Sequence, residues 1–259
     1  MKKTFRMMLL LAMMMAACVS MGSCSSDDDG DGTISEQSVE KYVTGYKWYL
    51  DNNKRSEYRF YRNRLVTCMS SGKVTSGSLT YAESNFFGTW AVVDGKLVTT
   101  FTSGAYEGFD WNDILYGSLT ITKLRTNTKT IEATAPNGDS HALDSYASYG
   151  SSNTFEDFTD ASDHDGALIG TWETTGYKGG QGVAFTIKIG KKGKITFSAP
   201  SENINFTTEC TTKNGHVVFD HIFTPESNSC SLIYIREKET IRFYGEKNAQ
   251  TLWVWQKVE

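Results

Sequence analysis

Apolar and polar residues alternate with a period of two along much of the chain. Thr186-Ile187-Lys188-Ile189, Lys194-Ile195-Thr196-Phe197, Leu119-Thr120-Ile121-Thr122 and Leu252-Trp253-Val254-Trp255 each put every second side chain on one face. That is the pattern of a β-strand with one buried side. Turn formers separate such runs: Asn63-Arg64, Asp94-Gly95, Asn137-Gly138, Lys192-Gly193 and Asn214-Gly215. One helix is predicted near the start. Thr33-Ile34-Ser35-Glu36 has the spacing of a capping box, and Val39, Tyr42 and Val43 fall on one helical face.

The chain also repeats itself. Lys47-Trp48 opens one unit and Gly170-Thr171-Trp172 a second. The stretch Trp90 to Val98, with its Asp94-Gly95 turn, is echoed by Glu209 to Val218, with Asn214-Gly215. Ser118-Leu119-Thr120-Ile121-Thr122 followed by Lys129-Thr130-Ile131 recurs as Ser231-Leu232-Ile233-Tyr234-Ile235 followed by Glu239-Thr240-Ile241. Two copies of one β unit account for the length better than one large barrel. Each copy supplies about eight short strands, enough for a small antiparallel barrel or barrel-like sandwich closed to remove its edges. The expected fold is therefore all-β, with two tandem domains over residues 45–143 and 168–259 and a connector over 144–167. Ser, Asp and Gly dominate that connector, but Tyr146, Tyr149, Phe155 and Phe158 predict that part of it packs against a barrel.

The quoted motifs Phe87-Gly88-Thr89-Trp90, Asp94-Gly95-Lys96-Leu97 and Leu119-Thr120-Ile121, in this order and in tandem, resemble the small lipocalin-like domains of Bacteroidota-type surface lipoproteins. The start of the chain fits that resemblance. Lys2, Lys3 and Arg6 precede an apolar run from Met7 to about Val19, shorter than the roughly 20 residues a spanning helix needs. Met21-Gly22-Ser23-Cys24 resembles a lipobox, with Met21 in place of the usual Leu. Residues 1–23 are then a cleaved signal peptide and Cys24 the acylated first residue of the mature chain, bearing palmitate-class acyl groups. Ala16-Ala17-Cys18 is a rival frame, but the polar stretch begins directly behind Cys24. Residues 24–44 form an acidic tether and the short helix. Ser25-Ser26-Asp27-Asp28-Asp29 resembles the surface-export signal of such lipoproteins, which implies the outer membrane with the protein facing outward.

Charge narrows the partners. Removing residues 1–23 lowers Lys+Arg from 26 to 23 against 30 Asp+Glu, a net charge near −7. No basic cluster interleaved with aromatics is present, so nucleic acid is not an expected partner. Asp27, Asp29, Asp31 and Gly32 match four positions of an EF-hand loop, but the twelfth is Ser38 instead of a bidentate Glu. No metal and no cofactor is expected. With Cys24 acylated, Cys68, Cys210 and Cys230 remain. Distance along the strands is expected to keep Cys210 and Cys230 apart, and Cys68 and Cys210 read as small core hydrophobes. His216 and His221 lie five apart and point to opposite faces, and Asp163-His164-Asp165 reads as a solvated charge run. No Gly-x-Ser-x-Gly elbow or phosphate loop is present, so no enzyme is expected.

Binding is the better class. Aligning the repeats leaves one long excursion, Ser103 to Gly117, where the second copy has only Thr224 to Ser229. Tyr106, Phe109, Trp111 and Tyr116 stand there beside Asp110 and Asn112, aromatic faces next to hydrogen-bond acceptors. These six residues are the candidate ligand site, for a glycan or small amphipathic molecule; the same rings could equally plug the barrel. The other function the sequence leaves open is a structural or interaction subunit of an outer-membrane surface assembly, with no ligand of its own. Replacing Cys24 by Ala should move the protein from the membrane pellet to the soluble fraction, whereas Cys18→Ala should leave it in the pellet. The opposite pattern would assign the lipobox to Cys18.

Overall fold

The computed structural model describes residues 33–51, 56–76, 79–104, 119–145, 152–178, 181–222, 224–246, 249 and 251–258. They form two closed eight-stranded antiparallel barrels. The first comprises β1 (Lys47–Leu50), β2 (Ser56–Phe60), β3 (Leu65–Ser76), β4 (Leu79–Val93), β5 (Lys96–Gly104), β6 (Thr120–Arg125), β7 (Thr130–Thr134) and β8 (Ser140–Asp144). The second comprises β9 (Gly170–Lys178), β10 (Gln181–Ile189), β11 (Lys194–Ala199), β12 (Ile204–Lys213), β13 (His216–Phe219), β14 (Cys230–Glu237), β15 (Thr240–Gly245) and β16 (Thr251–Lys257). Each strand pairs with its sequence neighbours, and first pairs with last: β1 with β8, and β9 with β16. This is the up-and-down meander that also builds lipocalins and streptavidin, and closure leaves no free edge.

The local code is plain in the turns. Asp94 and Gly95 have φ of 50° and 71°, and Asn214 and Gly215 have 51° and 77°. Two consecutive positive φ values define the tight turn whose twist matches paired strands, and Asp, Asn and Gly tolerate them best. Repeat partners occupy equal ranks in the two barrels. The Asp94-Gly95 hairpin joins the fourth and fifth strands of one barrel, and Asn214-Gly215 joins those of the other.

Each barrel carries a short helix against one end. In the first it is α1 (Glu36–Tyr42), with Val39 and Val43 wholly buried. The capping box differs from the one expected. Ser35 is the N-cap and exchanges bonds with Ser38, so the box begins two residues later than Thr33. Glu36 instead pairs with Arg64 at 2.8 Å, and Tyr42 is 38% exposed. In the second barrel a 3-10 turn, Gly166–Leu168, buries Ala167 and Leu168. The first-strand tryptophans tie both lids down. Trp48 Nε1 donates to the Val43 carbonyl at 3.0 Å, and Trp172 Nε1 to the Leu168 carbonyl at 2.9 Å.

A third apolar cluster lies between the barrels. Tyr61, Leu65 and Phe87 pack with Ile233, Ile235, Tyr244 and Ala249, joined by Phe155 of the connector. At the lidded ends, Arg62 N–H donates to Asp157 and Asn63 N–H to Thr159, both in the connector. Toward the other end, the Ser103 hydroxyl bonds the Glu246 carbonyl, and the Phe87 and Tyr244 rings lie 4.8 Å apart. The barrels therefore stand side by side with their lids at the same end. Gly215 is at the tightest point: a Cβ there would lie 2.6 Å from Leu65 Cβ. Gly138, also at positive φ, faces open space. Gly138→Ala should cost about 1–2 kcal/mol of left-handed backbone strain. Gly215→Ala should add about 1–3 kcal/mol of overpacking against the other barrel. Thermal denaturation of the two variants separates these contributions; equal melting temperatures would mean that the Gly215–Leu65 contact is absent in solution.

Candidate binding site

Inside the second barrel, alternate residues point inward. Trp172, Ile187, Ile195, Phe197, Cys210, Val217, Phe219, Leu232, Tyr234, Ile241, Phe243 and Trp255 form one cluster, none above 3% exposed. At the lidded end this packing leaves only a recess of about 10 Å³ beside Asp165 and Leu168. Toward the opposite end it thins into a ring of half-buried apolar side chains: Phe185, Ile204, Phe206, Ile222 and Trp253, with Cys230. Phe185 lies across the mouth above Gly176, where a Cβ would come within 2.7 Å of its ring. Phe206 meets His221 edge-on at 6.3 Å. Phe185, Ile204, Phe206, Cys230 and Trp253 point inward by register, and solvent still reaches them. Trp255 Nε1 is buried inside the same barrel without a hydrogen-bond partner among the described residues.

Beneath the lid of this barrel is a polar knot. Asp165 is 2% exposed; it accepts from the N–H groups of Ala167 (2.7 Å) and Asp160 (3.1 Å) and from the Tyr234 hydroxyl. Its own N–H donates to Thr212, which in turn donates to the Ser162 carbonyl. Burial pushes the Asp165 carboxyl up to about 6, against the opposing pull of the Tyr234 and backbone hydrogen bonds. Asp163 and His164 are exposed, so the solvated-run reading holds for them and fails for Asp165, which caps the 3-10 turn.

The residues singled out from sequence fall outside this region. Cys24 and the six candidates Tyr106, Phe109, Asp110, Trp111, Asn112 and Tyr116 lie outside the described residues. Connector residue Phe155 packs against Tyr61 at 5.0 Å, as expected, whereas Phe158 meets Arg236 at 5.1 Å but stays 39% exposed; Tyr146 and Tyr149 lie outside the described residues. The mouth residues Phe185, Phe206 and Trp253 were not anticipated. Their signal is an aromatic in the inward register within a few residues of a strand end, where a filled barrel would need smaller groups.

Cysteine chemistry is muted. Cys68, Cys210 and Cys230 are unbridged. Cys210 and Cys230 both stand in register with Phe219. One strand therefore separates them, about 10 Å, beyond disulfide reach. Distance along the hairpins, the expected obstacle, is not the operative one. Burial pushes the Cys68 thiol up to about 12 and Cys210 to about 11, which keeps both from acting as nucleophiles. Among the described residues, no three His, Cys, Asp or Glu side chains are grouped to hold a metal ion.

Beyond a small recess of about 10 Å³ beside Asp165 and Leu168, two larger ones open among the described residues. One, of about 40 Å³, runs beside α1 between Tyr42, Tyr46, Trp48 and Leu124, but Lys41 and Lys129 already cover the tyrosine faces at 4.7 and 4.9 Å. The other, of about 210 Å³, lies between the two barrels and the connector. Compared with known proteins, the chain matches no family model, no curated protein and no solved structure.

The Asp165 knot yields a pH prediction. Its folded-state pKa near 6 exceeds the unfolded value of about 3.9. The native state thus takes up a proton first, and this group adds stability as pH falls from 7 toward 4, by up to about 3 kcal/mol. Asp165→Asn removes the buried charge and keeps the acceptor for Ala167. The variant should equal or exceed the parent in stability at pH 7, and its advantage should shrink as pH approaches 4. A difference that does not vary with pH, measured by denaturant unfolding, would contradict this account.

Proposed function

We propose that this protein is a non-enzymatic, lipid-anchored cell-surface protein that binds a small amphipathic ligand, a lipid or a glycan with an apolar face. The ligand enters the open end of the second barrel. The observation that carries the reading is the asymmetry of that barrel. One end is covered by the Gly166–Leu168 lid, and at the other Phe185, Ile204, Phe206 and Trp253 point inward yet stay partly exposed, beside buried Val183 and Ala199. Leaving such rings in water costs free energy that an apolar guest recovers, at about 25 cal/mol per Å² covered.

The anchor end of the chain supports the same reading. Thr33 lies against Gly95 at the lidded end of the first barrel. A lipid anchor on Cys24 would then join the protein at its lidded end, and the mouths would open away from the membrane. One apolar face on the outside of each barrel is used in pairing the two barrels.

The test is uptake of a fluorescent fatty acid and its displacement by unlabelled fatty acids or alkyl glycosides. Removing one stacking ring costs about 0.5–1.5 kcal/mol of affinity. Phe206→Ala and Trp253→Ala should therefore each weaken uptake several-fold, while Val93→Ala, an exposed site at the lidded end of the first barrel, should not. Absence of uptake by the parent, or equal uptake by all three variants, would refute a ligand at this mouth.

A further inference from the structure

The recess between the barrels is lined by Lys47, Arg59, Tyr61, Phe155, Arg236 and Lys238, together with Thr154, Glu156, Ile235 and Glu237. It shares no residue with the mouth of the second barrel. Lys47 and Arg59 are direct cross-strand partners in the β1–β2 pair, on the outward face. Like charges placed opposite one another destabilise a sheet unless something compensates them. Glu57 compensates Arg59, at 2.6 Å. Lys47 has no such partner: among the described residues neither it nor Lys238, which faces it from the β14–β15 turn, makes an ion pair. The opposing carboxylates are fewer. Glu237 is engaged by Arg242 at 3.3 Å, which leaves Glu156 alone against the lysines.

The remaining wall is aromatic. Tyr61 and Phe155 stack at 5.0 Å with a tilt of 58°, and the Arg59 guanidinium lies 5.5 Å from the Phe155 ring centre. Burial pushes the Tyr61 hydroxyl up to about 12, so it remains an O–H donor at neutral pH. Two uncompensated ammonium groups, a fixed guanidinium, a phenol donor and a ring face thus surround about 210 Å³. That volume is below the roughly 300–1,000 Å³ of drug-sized sites and suits a single ring with one charged substituent.

We propose that this recess binds an oxyanion carried on a sugar-sized molecule, a carboxylate, sulfate or phosphate, with Lys47 and Lys238 closing on the charge and Tyr61 and Phe155 covering the ring. The site extends the binding function to acidic glycans and stands or falls separately from the barrel mouth. It is tested by isothermal titration of the mature chain at fixed ionic strength with glucuronate, a hexose phosphate, inorganic sulfate and neutral glucose. Acidic sugars should bind and glucose should not. The double variant Lys47→Ala/Lys238→Ala should bind them at least about tenfold more weakly, the loss expected when charge-assisted hydrogen bonds are removed. Lys188→Ala, on the outer face of the second barrel, should bind as the parent does, and fatty-acid uptake should be unchanged in the double variant. Acidic sugars binding more tightly than sulfate would assign a role to the aromatic wall; equal affinity would make the free oxyanion the ligand. No binding of any anion, or unchanged binding in the double variant, would overturn the proposal.

Discussion

An indole N–H buried in a β-barrel loses its water and is stabilised by a protein acceptor where one is in reach. In both barrels the first-strand tryptophan solves this in the same way, by donating to the last turn of a short helical lid, Trp48 to Val43 and Trp172 to Leu168. Most of the architecture depends on that bond. It holds the lid against the strands, so that each barrel has one sealed end. Cations reinforce the same region: Arg64 lies 4.2 Å from the Trp90 ring centre, and Arg236 lies 4.4 Å from that of Trp172. With the lid of the second barrel placed, its opposite end is where apolar side chains stay partly exposed.

The pairing of the barrels follows from a second constraint, the cost of leaving a wide apolar face in water. Ile233, Ile235 and Tyr244 on one barrel and Leu65 and Phe87 on the other are outward by register, yet all are buried, because each covers the other. The connector completes this seam. Asp157 and Thr159 accept backbone N–H groups from the first barrel, and Asp165 sits under the second lid. A buried carboxylate is a costly choice for such a joint, partly offset by three hydrogen bonds, and it makes the seam sensitive to pH.

The same packing separates the two regions proposed to bind ligands. The barrel mouth is apolar, and the recess between the barrels is cationic with an aromatic wall. The mouth is built within the second repeat, whereas the recess needs residues from both barrels and from the connector.

The fold class was legible because its determinants are local. Period-two alternation states which residues can face a core, and Asp94-Gly95 and Asn214-Gly215 carry the positive φ values a hairpin needs. Repetition of these signals in the same order announced two copies of eight strands. Where alternation breaks, the sequence still carried information that a strand-by-strand reading passes over. Leu232-Ile233-Tyr234-Ile235 is apolar on both faces, the mark of a strand buried on both sides. What tertiary structure alone decided is which distant residue meets which. Charge pattern could not tell that Asp165 is buried while Asp163 is exposed, because the difference is the Tyr234 hydroxyl, 69 residues away. Spacing could not tell that Phe219 stands between Cys210 and Cys230, or that Lys47 and Lys238 share a recess. Such encounters depend on barrel closure and on the docking of one barrel against the other, and these bring together groups between which no periodicity along the chain exists.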